Sequence, residues 1–221
     1  MSGGLVLVAH PSPVRVRFRC DDDGAPVGSD ARDAWLAARR SGVTATDCTK
    51  IVRQDGTPSV QRAKLLERKV FGEADAHSAA FAHGREREPV IAAWITENWG
   101  IEPNALLCEG ETPGHLATPD GIGEDAIAEI KTSVHPLRSA VRRYRDQLQW
   151  QLHVTGADRS LFVVEHRHTL EREVCWVARD EQRIGVLVEH ADRFLADLHE
   201  LADEVEARRR RMAERRRLAL R

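Results

Sequence analysis

The sequence predicts an α/β or α+β fold in which helices come first, a small mixed sheet occupies the middle and a long helix ends the chain. Three observations predict this class: helical spacing of apolar residues before residue 98, short apolar runs split by Gly and Pro over 105–132, and an apolar seam from Leu187 to Val205. The chain has 221 residues, 42% of them hydrophobic, which is enough for a sizeable core.

The first elements are expected to be one strand followed by three helices. Apolar residues alternate with arginine over 14–19, which predicts an early strand with one apolar face. Ser29 and Asp30 supply capping chemistry at the start of a short helix, and Gly42 ends it. The expected helices cover residues 31–40, 59–70 and 76–98.

The middle of the chain is expected to contain a three-stranded antiparallel meander. Its strands are short runs separated by Gly and Pro, at residues 105–108, 114–121 and 125–132. After them the pattern predicts one helix, two strands that flank a turn, and the terminal helix. These elements cover residues 137–154, 160–165, 173–178 and the segment from about 180 onward.

Charge is distributed unevenly along the chain. The net charge is −2, but residues 205–221 hold eight Arg and two Glu, which leaves 25 basic and 33 acidic residues in 1–204. Residues 205–221 are therefore expected to form a basic helical tail. It is either a solvated helix end or an arm for an acidic partner such as nucleic acid.

Two further features indicate a cytoplasmic protein without a membrane partner. The sequence has no run of 18 apolar residues that could span a bilayer, and its opening residues lack the basic region of a signal peptide. Its four cysteines lie far apart, which fits neither a disulfide framework nor a zinc or iron–sulfur site.

Two carboxylates and a lysine are expected to converge at one end of the predicted sheet. On a strand over 125–132, Glu129 and Lys131 project from the same face, about 6–7 Å apart, while Ile130 points into the core. Asp120 occupies a Pro-Asp-Gly turn and brings a second carboxylate alongside. Such a group suits Mg²⁺, which can activate a water for attack on phosphorus. The alternative is ordinary charge alternation on a half-exposed strand.

The same residues resemble a known nuclease family. Thr118–Gly121 (TPDG) with Glu129–Lys131 (EIK) resembles the PD-(D/E)XK nuclease core. Further segments, in the matching order, are similar to the YqaJ-type viral recombinase and lambda-exonuclease branch: Trp35–Arg39 with Gly42–Thr46 (GVTAT), Gly84–Pro89 (GREREP) and Tyr144–Trp150 (YRDQLQW). The resemblance implies a restriction-endonuclease-like core, a central mixed sheet flanked by helices, in a single nuclease domain over residues 1–204.

The resemblance also implies a metal site. Its ligands would be the carboxylates of Asp120, Glu129 and Glu88 and the backbone carbonyl of Ile130. Lys131 would position or activate the attacking water. Other groups stay open as rival or additional members of this site: Glu86, Glu109, Glu111 and His115.

DNA contacts follow from the resemblance as well. Arg39 would hold a terminal phosphate, with Arg40 as the alternative, and Thr46 stands where the branch more often has serine. Gln147 would support the metal-bound water or the scissile phosphate, and Tyr144 lies one helical turn away on the same face. The alternative for that helix is packing with a polar surface.

The function implied is that of a Mg²⁺-dependent DNA exonuclease of the phage recombinase type, with Mn²⁺ as an alternative ion. It would hydrolyse phosphodiester bonds at duplex ends, in the 5′-to-3′ direction, and expose a single strand for an annealing protein. The resemblance further implies a homo-oligomer, a ring-shaped trimer. Two alternatives stay open: a structure-specific or restriction-type endonuclease, and a non-catalytic DNA-binding protein of the same fold.

Overall fold

Helices pack on two small sheets in the computed structural model, which describes residues 13–72 and 79–219. The helices are α1 (Arg32–Arg40), α2 (Ala45–Ile51), α3 (Arg62–Phe71), α4 (Ala79–Trp99), α5 (Leu137–Thr155) and α6 (Glu181–Ala219). The strands are β1 (Val43–Thr44), β2 (Glu102–Pro103), β3 (Cys108–Glu109), β4 (His115–Ala117), β5 (Gly121–Ile122), β6 (Ile127–Ser133), β7 (Arg159–His166) and β8 (Arg172–Ala178). The residues at which α4 was expected to begin lie outside the described ranges.

The larger sheet is mixed, as predicted. Its strand order is β2-β5-β6-β7-β8, and β6 and β7 run parallel while the other neighbours are antiparallel. The parallel pair requires a crossover, which α5 supplies. The expected α+β class, with a mixed sheet flanked by helices and a long C-terminal helix, is confirmed.

The expected meander is wrong. β4 pairs with β1 and β3 in a separate three-stranded sheet, whereas β5 pairs with β2 and β6. The chain leaves one sheet and enters the other around Pro119, whose ring nitrogen has no hydrogen to donate to a strand ladder. Residues 114–121 therefore contribute to two sheets rather than to one continuous strand.

Two local expectations near the N-terminus also change. Residues 14–18 keep the predicted alternation of half-buried and exposed side chains. The segment forms one isolated bridge, between Phe18 and Cys108, with a backbone hydrogen bond on each side of it, rather than a regular strand. Helix α2 was not expected. Thr44 caps it, because Asp47 accepts hydrogen bonds from the Thr44 backbone N–H (2.9 Å) and hydroxyl (2.7 Å).

The core lies on both faces of the larger sheet and fixes the direction of the side chains on β6. Ile130 packs with Ile91 and Ile95 of α4, whereas residues of β7 on the opposite face pack against α5. Because side chains alternate along a strand, Glu129 and Lys131 share the α5 side, as the sequence predicted. Within residues 13–72 and 79–219, none of the helices combines the length and apolarity needed to cross a membrane.

Helix α6 continues without interruption past residue 205. Its first half supplies the apolar seam, with Leu187, Ala191, Phe194 and Leu198 buried in the core. From residue 206 to 218 every side chain is exposed. The basic segment is thus the C-terminal part of one long helix.

Candidate active site

Glu129 is the most completely enclosed acidic group of the candidate site. It is 1% exposed, and its Oε1 accepts hydrogen bonds from the Lys131 ammonium group and the Gln147 amide. Its Oε2 accepts a third hydrogen bond from the Gln151 amide at 2.6 Å. Strand β6 thus presents the carboxylate, and two successive turns of α5 present the amides that bind it.

Asp120 lies beside this group because the turn before β5 is held against β6. Its Oδ2 accepts a hydrogen bond from the backbone N–H of Ile130 at 2.7 Å. Asn104 fixes the same turn, since its backbone N–H donates to the Asp120 carbonyl (2.9 Å) and its side chain donates to the Pro119 carbonyl (2.9 Å). The prediction that Asp120 comes alongside β6 is confirmed.

Glu88 comes to the same cleft from α4. The residue before it, Arg87, forms a bidentate ion pair with Glu165 of β7 at 2.8 and 3.0 Å. Glu165 is fully buried and also accepts a hydrogen bond from Arg172 at 2.9 Å. This network holds α4 against the sheet next to Glu88. Glu86, the rival candidate, does not line the cleft.

The electrostatics of the site reflect three acidic groups around one ammonium group. Burial and the nearby carboxylates of Glu129 and Glu88 raise the pKa of Asp120 well above its usual value. Burial and Glu129 also raise the pKa of Glu88. Burial opposes the charge of Lys131, but the carboxylates of Glu129 and Asp120 outweigh it and raise the pKa of the lysine. The cluster therefore contains more acidic than basic groups, and without a bound cation its surroundings favour the protonated forms of Asp120 and Glu88.

The donor set fits a hard divalent cation. Its members are carboxylate oxygens and the Ile130 carbonyl, the ligand type that Mg²⁺ and Mn²⁺ prefer. In the described part of the chain, no three His, Cys, Asp or Glu side chains are arranged to hold a metal ion by themselves. Coordination through one or two carboxylates, with waters completing the shell, is the usual arrangement for Mg²⁺ and fits these residues.

A cleft of about 960 Å³ opens above the cluster. It is lined by Glu88, Asp120, Ile130, Lys131, Gln147, Tyr144 and Thr46, together with basic groups from Lys50, Arg143 and Arg167. The Lys131 nitrogen lies 5.3 Å from the centre of the Tyr144 ring. Two acidic side chains, those of Glu88 and Asp120, thus line the cleft together with basic and hydroxyl groups.

Arg39 and Thr46 are neighbours at the edge of this cleft. The Arg39 guanidinium donates to the Thr46 hydroxyl at 3.4 Å and lies over the Trp35 ring, 4.2 Å from its centre. The Lys69 ammonium group donates to the Arg39 carbonyl at 2.8 Å and fixes the end of α1. The structure therefore brings the two predicted phosphate-binding side chains together, and Thr46 lines the same cleft as Asp120.

The remaining acidic candidates lie elsewhere. Glu109 belongs to the smaller sheet, where it accepts hydrogen bonds from Arg19 (3.0 Å) and from the backbone N–H of Gly114 (3.0 Å). Glu111 is exposed in the turn between β3 and β4. Neither side chain lines the cleft that holds Asp120.

His115 faces away from the cleft and joins a chain of hydrogen bonds. Its Nδ1 lies 3.0 Å from Nε2 of His153, and its Nε2 lies 2.9 Å from Oδ1 of Asp192. Burial lowers the pKa of His115, although Asp192 partly offsets that effect. Burial, His115 and Arg179 lower the pKa of His153 to about 4. His115 is thus a packing residue of the smaller sheet.

Sequence reasoning missed Gln151. Its spacing of four from Gln147 on α5 was visible, and residues four apart lie on the same side of a helix. This spacing indicated that Gln151 shares a helix face with Gln147. Its hydrogen-bond partner, Glu129, lies 22 residues earlier in the chain, and only the folded structure shows that the two side chains meet.

The mixed sheet, with Glu129 and Lys131 on its central strand β6 and Asp120 beside them, defines a protein of the PD-(D/E)XK nuclease fold class. The chain belongs to the YqaJ-like viral recombinase domain family, whose model matches residues 34–158. That range contains the cluster, the Arg39–Thr46 pair and all the residues that line the cleft except Arg167. A comparison with curated proteins found no match.

Solved structures with a similar fold include several exonucleases. An alkaline exonuclease, LHK-Exo, from Laribacter hongkongensis is 22% identical with a TM-score of 0.66, and the match covers 81% of this chain and 99% of that one. LHK-Exo in complex with dAMP is 24% identical with a TM-score of 0.65, with the same coverage. A phage-related exonuclease from Haemophilus somnus 129PT is 14% identical with a TM-score of 0.62, covering 74% and 96%. At these identities the likeness establishes the fold.

Proposed function

We propose that the protein is a metal-dependent deoxyribonuclease that degrades duplex DNA from its ends, with Mg²⁺ as the resident ion and Mn²⁺ as a substitute. The observation that carries this proposal is the buried Glu129 carboxylate, held between Lys131 and two glutamines directly behind the cleft that Asp120 and Lys131 line. Family membership and the similarity of the fold to that of several exonucleases support the same activity.

The proposed roles follow from the positions of the side chains. Asp120, Glu129, Glu88 and the Ile130 carbonyl would hold the ion, which lowers the pKa of a bound water and offsets charge on the phosphate. Lys131 carries a positive charge to the same point and would stabilise the negative charge that develops on the scissile phosphate.

Gln147 would orient Glu129 without changing the charge of the site. Its amide donates to Oε1 of Glu129, the oxygen that also accepts from Lys131. A neutral donor fixes the rotamer of the carboxylate without adding a countercharge, which suits a metal ligand. Tyr144, beside the lysine nitrogen, would bound the space open to the scissile phosphate.

Arg39 and Thr46 would bind the phosphate at the DNA terminus. A guanidinium and a hydroxyl next to each other match phosphate oxygens in charge and hydrogen bonding. A fixed contact to a 5′ terminal phosphate would give the enzyme 5′-to-3′ direction. The single strand left behind would be available to an annealing protein, and the ring-shaped trimer implied by the family resemblance remains a prediction for sedimentation analysis.

The decisive experiment compares wild type with Lys131→Ala on linear duplex DNA, with Mg²⁺ and with a chelator. We expect nucleotide release from wild type that needs the ion, and a loss of at least about 100-fold in the variant, the usual cost of removing one group that stabilises transition-state charge. Lys64→Ala is the matched control, because Lys64 is exposed on α3 and does not line the cleft.

The DNA substrate separates the alternatives. Release from a strand labelled at one end gives the direction of digestion. Cutting of a closed circle would identify an endonuclease instead. Metal-independent binding with no cleavage of any substrate would leave a non-catalytic DNA-binding protein, and equal rates for wild type and Lys131→Ala would overturn the proposed site.

A further inference from the structure

The body of the molecule is acidic, although its proposed substrate is acidic too. Residues 1–204 contain 33 acidic and 25 basic side chains, whereas residues 205–221 contain eight Arg and two Glu. Long-range repulsion between the body and DNA would slow encounter and weaken binding. The basic C-terminal segment is the part of the chain with the opposite charge.

This segment stands clear of the core. Helix α6 is anchored by its buried side chains as far as Leu198, and Val205 is the last residue that is even half-buried. From residue 206 to 218 all side chains are exposed. The last turns of α6 are therefore available to a partner without any rearrangement of the fold.

The arginines of this segment are not equivalent around the helix. At 3.6 residues per turn, five of them fall on one side, which we call the arginine face: Arg208, Arg209, Arg211, Arg215 and Arg216. Glu206 and Glu214 fall on the opposite side, next to Arg210 and Arg217. On that opposite side Glu206 forms an ion pair with Arg210, so the glutamate offsets part of the positive charge there.

The arginine face therefore concentrates positive charge that the segment's own glutamates do not offset. Because each residue rises 1.5 Å, the five arginines of this face occupy a length of about 12 Å along the helix axis. Arg211 and Arg215 are four residues apart, a spacing at which like charges repel. A row of phosphates would relieve that repulsion and accept the guanidinium hydrogen bonds.

We propose that the arginine face is a DNA-binding arm that contacts the phosphate backbone of the duplex, outside the catalytic cleft. The inference takes DNA as the partner from the proposed function, but it does not depend on cleavage. Phosphate contacts carry no sequence information, which suits a protein that must act on ends of any sequence. The arm would hold the duplex near the enzyme while the cleft engages the terminus.

Two double variants of the full-length chain test the proposal. Arg211→Gln/Arg215→Gln removes two charges from the arginine face, and Arg210→Gln/Arg217→Gln removes two from the opposite side. Both lower the net charge equally, and both change only exposed side chains. Binding to a blunt duplex is measured by fluorescence anisotropy at several salt concentrations, in a Lys131→Ala background with a chelator so that the DNA stays intact.

The first variant is expected to bind about tenfold or more weakly and to lower the slope of log K against log salt by about 1.8, the value for two lost phosphate contacts. The second variant should change the slope by less than half of that. Equal effects of the two variants, or no effect of either, would overturn the proposal.

Sedimentation of the same variants examines the competing use of this surface. A change in oligomeric state in the first variant, with the salt slope unchanged, would assign the arginine face to an interface between copies of the chain and overturn the proposal. Wild type that cleaves no DNA while the two variants still differ as expected would refute the proposed nuclease function and leave the arm supported.

Discussion

Replacing Asp146 with asparagine should strongly destabilise the protein. Asp146 precedes Gln147 on α5 and accepts two hydrogen bonds from Arg183 of α6, at 2.8 and 2.7 Å. Both side chains are buried, at 4% and 6% exposure. The asparagine variant would leave the guanidinium without a countercharge in the interior.

The magnitude follows from the partners that Arg183 would keep. Removing one member of a buried ion pair costs about 3–5 kcal/mol. Arg183 also donates to the backbone carbonyl of Arg53 at 2.9 Å, so part of its hydrogen bonding survives in Asp146→Asn. We therefore expect about 3 kcal/mol, which for a chain of this size lowers Tm by about 6–12 °C.

Differential scanning calorimetry measures this shift against two controls. Glu189→Gln breaks the exposed pair with Arg193, in which both side chains are more than half exposed, and should lower Tm by less than about 2 °C. Asp146→Leu/Arg183→Met replaces the buried pair by apolar groups and should recover most of the loss, because neither charge then needs a partner.

Two results would refute this reasoning. A Tm for Asp146→Asn within about 2 °C of wild type would mean that the pair is hydrated in solution rather than buried. A double variant less stable than the sum of its single variants would mean that the two side chains act by shape rather than by charge.

Three further predictions concern the site and its surroundings. Glu165→Gln should raise the Mg²⁺ concentration for half-maximal nuclease activity severalfold, because the ion pairs that hold α4 beside Glu88 are lost; a metal titration well below Tm checks this. Tm should fall as the pH drops from 6.5 toward 4, because the pKa values of His115 and His153 are lowered in the folded state and protonation therefore favours unfolding; a His153→Gln variant should show a flatter pH profile. Gln151→Leu should lower kcat about tenfold or more with little change in KM, since the Glu129 carboxylate of the proposed metal site then loses one of its three hydrogen bonds; single-turnover kinetics separate the two effects.

Local patterns in the sequence were sufficient for much of the site. Alternation along β6 placed Glu129 and Lys131 on one face and Ile130 on the other, because a strand has a period of two residues. The turn at Asp120 was recognisable from its Pro-Asp-Gly sequence, and its Ile130 hydrogen bond confirms the predicted approach to β6. These features depend on short stretches of chain, and such stretches specify their own geometry.

Features that depend on distant contacts were not predictable in the same way. Helix α2 has seven residues, too few to show a helical period, although its Thr44–Asp47 capping box was visible. The partition of residues 114–121 between two sheets depends on pairing with β1, which lies about 70 residues earlier. The Arg87–Glu165 pair joins residues 78 positions apart, and no local pattern identifies such partners among 68 charged residues.

The way the protein satisfies Glu129 explains how a buried acidic site can remain receptive to a cation. Three donors bind this carboxylate, but only Lys131 is charged, and the amides of Gln147 and Gln151 are neutral. Had lysines stood at the two glutamine positions, the cluster would have been neutralised by its own side chains. With amides there, the acidic groups outnumber the one ammonium group, and burial together with the acidic neighbours raises the pKa of Asp120. A divalent cation beside these groups would offset their mutual repulsion and favour the ionised carboxylates, so the arrangement suits the binding of a cation.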